Sequence, residues 1–201
     1  MPRNQESKMK ILSTASTLFQ KQGYHATGLN QIIKESGCPK GSLYYYFPEG
    51  KEQLATEAIN RTKDFAAQAL RNLFSQQDDV IKALECFFGQ CLSFNPKIAH
   101  DGIPLALISL ETWHMSEQLR LACKNAYEEL IMIVREKFIQ SNWPPEEATE
   151  MAYLVFSMIE GGSIIVLTYK SNESLKRICK SIIELIKLKQ KEIRTNLRNE
   201  L

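Results

Sequence analysis

Apolar residues recur at helical spacing along the whole chain. Ile11, Leu12, Ala15, Leu18 and Phe19 fall on one side of a first helix predicted over residues 6–22, with Gly23 as its stop. Thr27 is expected to cap a second, short helix whose Leu29, Ile32 and Ile33 make a buried stripe, and Gly37 ends it. Pro39 opens a third helix. Pro48 disfavours helical geometry at Phe47 and so closes it. A longer helix follows over 51–74, with Leu54, Ala58, Phe65, Ala69 and Leu73 on related faces, before Asp78 and Asp79 mark another start.

Further helical patterns occupy 79–94, 103–114, 117–141, 146–169 and 173–198, separated by Asn95-Pro96, Gly102, Pro144-Pro145 and Ser171-Asn172. No strand pair or internal repeat emerges, so the predicted fold class is all-α. Two wide apolar stripes stand out near the C-terminus. One carries Ala152, Val155, Phe156, Ile159, Gly162 and Val166; the other carries Leu175, Ile178, Cys179, Ile182, Ile183 and Ile186. Each needs a cover, from the same chain or from a second copy.

At 201 residues and 44% hydrophobic content the chain can bury a packed core. Its longest apolar runs, such as Ile164–Leu167, are broken well before the roughly 18 residues that suggest a membrane span, and residues 1–10 are polar, so neither a membrane partner nor a signal peptide is expected. The five cysteines are odd in number and dispersed, as suits buried thiols in a reducing cytoplasm. Charge is uneven. Residues 1–51 hold seven Lys/Arg against three Asp/Glu, a net +4, and the remainder holds 18 against 20, a net −2. Alone, that bias describes a solvated surface as well as a nucleic-acid footprint.

The third helix changes the picture. Leu43 and Phe47 lie one turn apart and can anchor it in a small core with Ile11, Leu18 and Ile32. Tyr44, Tyr45 and Tyr46 advance about 100° per residue, so with Leu43 and Phe47 they cover too much circumference for all to be buried in a three-helix unit. Exposed tyrosines beside Lys40 and Ser42 offer phosphate hydrogen bonds, a charge for guanine or phosphate, and contact with thymine methyls. Packing of two tyrosines against helices one and four, with hydroxyls in water, satisfies the same pattern.

The run Ala26-Thr27-Gly28-Leu29-Asn30-Gln31-Ile32-Ile33-Lys34-Glu35-Ser36-Gly37-Cys38-Pro39-Lys40-Gly41-Ser42-Leu43-Tyr44-Tyr45-Tyr46-Phe47, followed by Lys51 and Leu54, resembles the DNA-binding signature of the TetR family. The resemblance implies an N-terminal three-helix helix-turn-helix DNA-binding domain over 1–51 plus a C-terminal helical ligand-binding and dimerisation domain over 52–201, linked by the helix over about 51–74. It places Thr27, Lys40, Gly41, Ser42, Tyr44, Tyr45, Tyr46 and Lys51 at or near DNA. Pro39 departs from the usual Ser or Thr, Tyr46 from a frequent His, and Pro48-Glu49-Gly50 is one residue longer than usual. The run Phe47–Leu54 and Glu160-Gly161-Gly162 are similar to the LmrA/YxaF-like branch of the family.

The same resemblance implies a cytoplasmic repressor, a homodimer that leaves a palindromic double-stranded operator when a small aromatic or drug-like effector binds. In that picture the last two long helices pair with their copies, through Val155, Ile159, Gly162 and Val166 on one and Ile178, Ile182 and Ile186 on the other, although an intramolecular core uses the same stripes. Phe87, Phe88, Cys91, Leu107, Trp113, His114, Tyr127 and Phe156 fall in the effector-binding region, with Glu111 as a charged handle; aromatics at this spacing also fill cores.

Other classes find little support. His25, His100 and His114 are scattered with no nucleophile motif around them, so no catalytic residues are assigned. Cys86 and Cys91 lie about 140° apart on a helix, so neither a metal site nor a cofactor is expected. The alternatives are a redox-sensing regulator built on Cys38 at a helix start, and a helical adaptor without specific DNA binding.

Overall fold

The computed structural model describes residues 3–93 and 105–199, with side chains over 5–93 and 105–195. The described residues contain α1 (Arg3–Gln22), α2 (Leu29–Ser36), α3 (Lys40–Tyr46), α4 (Lys51–Ser75), α5 (Val80–Ser93), α6 (Leu105–Thr112), α7 (Glu117–Gln140), α8 (Pro145–Tyr169) and α9 (Glu173–Asn199), and no strand among them. The all-α expectation holds. The Asn95-Pro96 break, Gly102 and the expected helix start at 103 lie outside the described residues.

Two helix starts differ from the sequence reading. Gly28, not Thr27, occupies the N-cap of α2, and no side chain caps it. Thr27 is buried, and its hydroxyl donates to the Gly23 carbonyl at 2.7 Å, which closes the turn after α1 instead of the helix after it. Pro39 stands at the N-cap of α3 with an extended ψ of 142°, one position before the first helical residue. The stop at Gly37 is as expected: its φ of 63° is left-handed, and its N–H donates to the Lys34 carbonyl.

The chain divides into two compact units, Met1–Ala66 with Lys97–Glu128, and Ala67–Pro96 with Glu129–Leu201. In the first, α1 packs on α2 and α3. Ile11, Leu18, Ile32, Leu43 and Phe47 are buried there as the spacing predicts, joined by Leu54, Ala55 and Ala58 of α4.

In the second unit, α9 packs on α5 and α8. Val155, Ile159, Gly162 and Val166 are buried, as are Ile182 and Ile186. A Cβ built on Gly162 would stand 2.9 Å from Leu175 Cδ1 and 3.0 Å from Ile178 Cδ1, so this glycine is what lets α8 and α9 close up. Within the protomer these residues belong to the contact between α8 and α9, where each buried Val or Ile contributes about 1.5–3 kcal/mol. Half-buried Ile178 belongs to the same contact. Gly161, by contrast, is exposed, and an added Cβ would meet nothing within 4 Å.

Lys137 fastens the end of α4. It is 5% exposed, and its ammonium donates to the carbonyls of Phe74, at 3.0 Å, and Gln77. Carbonyls at a helix end have no partner within the helix, so a buried cation there replaces the missing donors. By length and composition α8 matches a membrane span, contrary to the sequence expectation, but its buried stripe packs on α9.

Candidate nucleic-acid interface

α3 lies on the first unit with Leu43 inward and Phe47, its C-cap residue, fully buried behind it. That anchoring leaves the opposite side to solvent. Lys40 and Gly41 are exposed, Tyr44 is 44% and Tyr45 72% exposed, and Ser42 and Tyr46 are half-buried. Lys40 Nζ stands 5.8 Å from the Tyr44 ring centroid, a cation held over an aromatic face. The Tyr45 and Tyr46 rings meet edge to face at 4.9 Å. A Cβ on Gly41 would meet nothing within 4 Å, so another backbone can approach there. Charge, hydroxyls and apolar ring edges therefore share one helix face, the mixture that contacts phosphates and base edges in a major groove.

Two residues expected beside DNA turn inward. Thr27 is buried, as described above. Lys51, at the start of α4, donates its ammonium to the carbonyls of Tyr24 and Thr27, both at 3.0 Å, and lies 4.3 Å from the Tyr24 ring centroid. Burial pulls the Lys51 pKa below the usual lysine value, against an upward pull from Glu111. The Tyr24 hydroxyl is shifted up, by burial and then by Glu52. Lys51 thus holds the α1–α2 turn in place, and its donors are directed at the protein.

The residues expected around an effector divide between the units. Phe87, Phe88, Cys91 and Phe156 belong to the second unit. Phe88 is buried, and Phe87 meets Phe74 edge to face at 6.4 Å and Phe88 at 5.7 Å. The Cys91 thiol is pushed up to about 12, mainly by burial and then by neighbouring Cys179. Leu107, Glu111, Trp113, His114 and Tyr127 belong to the first unit. Tyr127 is half-buried, whereas Leu107, Trp113 and His114 are exposed, the rings of the last two meeting edge to face at 5.2 Å in the turn after α6. Glu111 is already engaged. Its Oε2 accepts from the His25 backbone N–H at 3.0 Å, and its backbone carbonyl lies 3.0 Å from His25 Nε2. Sequence spacing gave no sign of this pairing, because the partners are 86 positions apart.

A hollow of about 130 Å³ opens between the α7–α8 turn and α9, lined by Ser141, Asn142, Trp143, Gln190, Ile193 and Arg194. None of the expected effector residues lines it, and it is smaller than the roughly 300–1,000 Å³ typical of ligand pockets. Cys38 precedes α3. Its thiol lies 3.7 Å from the Ser36 carbonyl and 3.9 Å from that of Ser7, as a hydrogen donor would.

Residues 11–58 match the family described as bacterial regulatory proteins, tetR family, and residues 92–181 match the LmrA/YxaF-like C-terminal domain of transcriptional regulators. Over 183 residues, 90% of this chain and 97% of the relative, the sequence is 43% identical to the HTH-type transcriptional regulator LmrA of Bacillus subtilis. The chain belongs to the TetR family. A second Bacillus subtilis member, the uncharacterized HTH-type regulator YxaF, is 41% identical over 92% of this chain and 97% of its own length. TetR-family folds are also found in regulators from Agrobacterium tumefaciens (TM-score 0.80, 17% identity, covering 90% and 98% of the two chains) and Legionella pneumophila (0.78, 20%, 89% and 96%).

The LmrA/YxaF-like branch read from Phe47–Leu54 and Glu160–Gly162 is therefore the right one. As a TetR-family member the chain is a helix-turn-helix transcriptional regulator, and the relatives' names describe regulators, a non-enzymatic role. They favour neither the thiol-sensor nor the adaptor alternative.

Proposed function

We propose that the protein is a cytoplasmic homodimeric repressor that binds a palindromic operator and is released by a small aromatic or drug-like effector. The observation that carries this reading is the outward face of α3, where Lys40, Gly41, Tyr44 and Tyr45 are exposed together while Leu43 and Phe47 hold the helix from behind. Ser42 and Tyr46 flank that face, and Thr27 and Lys51 support it through the α1–α2 turn. Functionally, residues 1–51 form the DNA-binding part and 52–201 the effector and dimerisation part, with α4 running between them.

Two recognition helices set about 34–36 Å apart enter successive major grooves, which is the physical reason for a dimer. We assign the face between copies to the outer side of the C-terminal helices. Tyr153, Ile164 and Leu167 are 54%, 50% and 58% exposed on α8, within about 60° of one another and turned about 130° from its buried stripe. Leu185 and Leu188 are exposed on α9. The effector would sit among Phe87, Phe88, Cys91 and Phe156, whose aromatic rings suit stacking with an aromatic ligand.

Selection of bound duplexes from a random DNA pool, followed by titration of the winner at two salt concentrations, tests the reading. A palindromic site bound with a steep salt dependence is expected; weak, sequence-blind binding would overturn it.

A further inference from the structure

The α1–α2 turn of the helix-turn-helix is held from two sides. Lys51 takes the Tyr24 and Thr27 carbonyls, and Glu111, the penultimate residue of α6, takes the His25 N–H. Gly23 has a φ of +84°, and its missing Cβ leaves room for the Glu111 carboxylate, which a built Cβ would strike. The His25 ring returns to the Glu111 backbone carbonyl. Just beyond α6, Ser116 Oγ donates to the Glu52 carboxylate beside Lys51.

A short turn whose carbonyls and N–H are fixed by two helices has little freedom to absorb a displacement of either. Movement of the end of α6 would be passed to α2 and to the start of α4, and DNA engagement by those helices would be felt at α6. We propose that Glu111 is the positioning residue that couples the C-terminal end of α6 to the DNA-binding helices through the α1–α2 turn. This rests on the DNA-binding reading above. Glu111 touches no DNA in this scheme; it acts through His25 and Gly23.

Trp113 offers a built-in probe. It lies two residues beyond Glu111 and is 62% exposed, whereas the second tryptophan, Trp143, is 3% exposed. Acrylamide quenching therefore reports mainly on Trp113. The experiment adds the selected duplex to the full-length protein, with DNA binding followed separately by anisotropy of end-labelled duplex and folding by circular dichroism. Wild-type protein should show about a twofold change in quenching on binding. In Glu111→Ala, saturated with the same duplex, the change should fall below a quarter of that. Glu111→Gln keeps an acceptor for the His25 N–H and should retain at least half. His25→Ala, at an exposed position, keeps the backbone N–H that Glu111 accepts and loses the ring's contacts with the Glu111 carbonyl and the Tyr24 ring; it should lower the change by about half and carries the test if Glu111→Ala fails to fold. Equal changes in wild type and variants, or none in wild type, would overturn the coupling. Absence of binding by anisotropy would instead overturn the DNA-binding reading, and this inference with it.

Discussion

The ammonium of Lys51 lies 4.3 Å from the centre of the Tyr24 ring and donates to the Tyr24 carbonyl at 3.0 Å, so one side chain holds both ends of a single residue in the turn after α1. A lysine in this position reads from sequence as a phosphate contact, and the geometry gives it another task. Lys51→Ala is expected to destabilise the protein by about 1–2 kcal/mol, since hydrogen bonds to charged groups are worth about 1.5–3 kcal/mol when well buried and this one is half-buried. Operator affinity should drop with it while the slope of log affinity against log salt stays within experimental error of wild type. A slope shallower by about one would show that Lys51 neutralises a phosphate after all.

Tyr45 and Lys40 should behave in the opposite way. Both are exposed, so replacing either with Ala should change unfolding free energy by less than about 0.5 kcal/mol. Tyr45→Ala should weaken binding to the selected operator about tenfold and narrow the gap to scrambled duplex, as loss of a base contact worth about 1–3 kcal/mol would do. Lys40→Ala should lower the salt slope by about one if its ammonium meets phosphate. Competition titrations with both duplexes separate the two effects, and unchanged affinity in both variants would remove α3 from the interface.

Most helix boundaries were legible because each rests on local chemistry: Gly37 for a left-handed stop, Pro48 for the end of α3, a tandem proline that opens α8. The exposure of Tyr44 and Tyr45 was legible too, since five large residues cannot share one buried side of a short helix. What periodicity does not carry is the identity of the partner. The stripes on α8 and α9 are buried faces, as their spacing predicts, but a stripe that covers a neighbour in the same chain has the same spacing as one that covers a second copy. The Glu111–His25 link escaped for a related reason: a carboxylate on the last turn of a helix has no local pattern announcing that a distant backbone N–H will bind it.

Substitutions on α8 separate those two kinds of face. Gly162→Val places methyls against Leu175 and Ile178 where even a Cβ lies at 2.9 Å, and overpacking of this kind costs about 1–3 kcal/mol. Urea unfolding should therefore show a clear loss. Gly161→Ala meets open space in the protomer and gains up to about 1 kcal/mol of helix propensity. If the outer face of α8 joins the copies, Leu167→Asp should weaken the dimer in sedimentation while Gly162→Val acts chiefly on stability. The reverse pattern would return the buried stripe to the interface.

Cys91 gives a pH signature. Burial, reinforced by Cys179, pushes its thiol up to about 12 from the ordinary value near 9, so the folded protein holds that proton through a range in which the unfolded chain releases it. A raised pKa of this kind supplies stability that is complete below about pH 9 and lost as pH rises toward 12, because the unfolded state then binds fewer protons than the folded state. The slope from this one group cannot exceed about 1.4 kcal/mol per pH unit. Cys123 and Cys179 are also raised by burial and add in the same direction. Urea unfolding of wild type and Cys91→Ala at pH 7.5, 9 and 10.5 should show the wild type losing stability faster above pH 9. In alkylation of the native protein at pH 8, exposed Cys86 should react well before Cys91. Parallel pH profiles for the two proteins, together with rapid alkylation of Cys91, would mean that its thiol is not sequestered between α5 and α9.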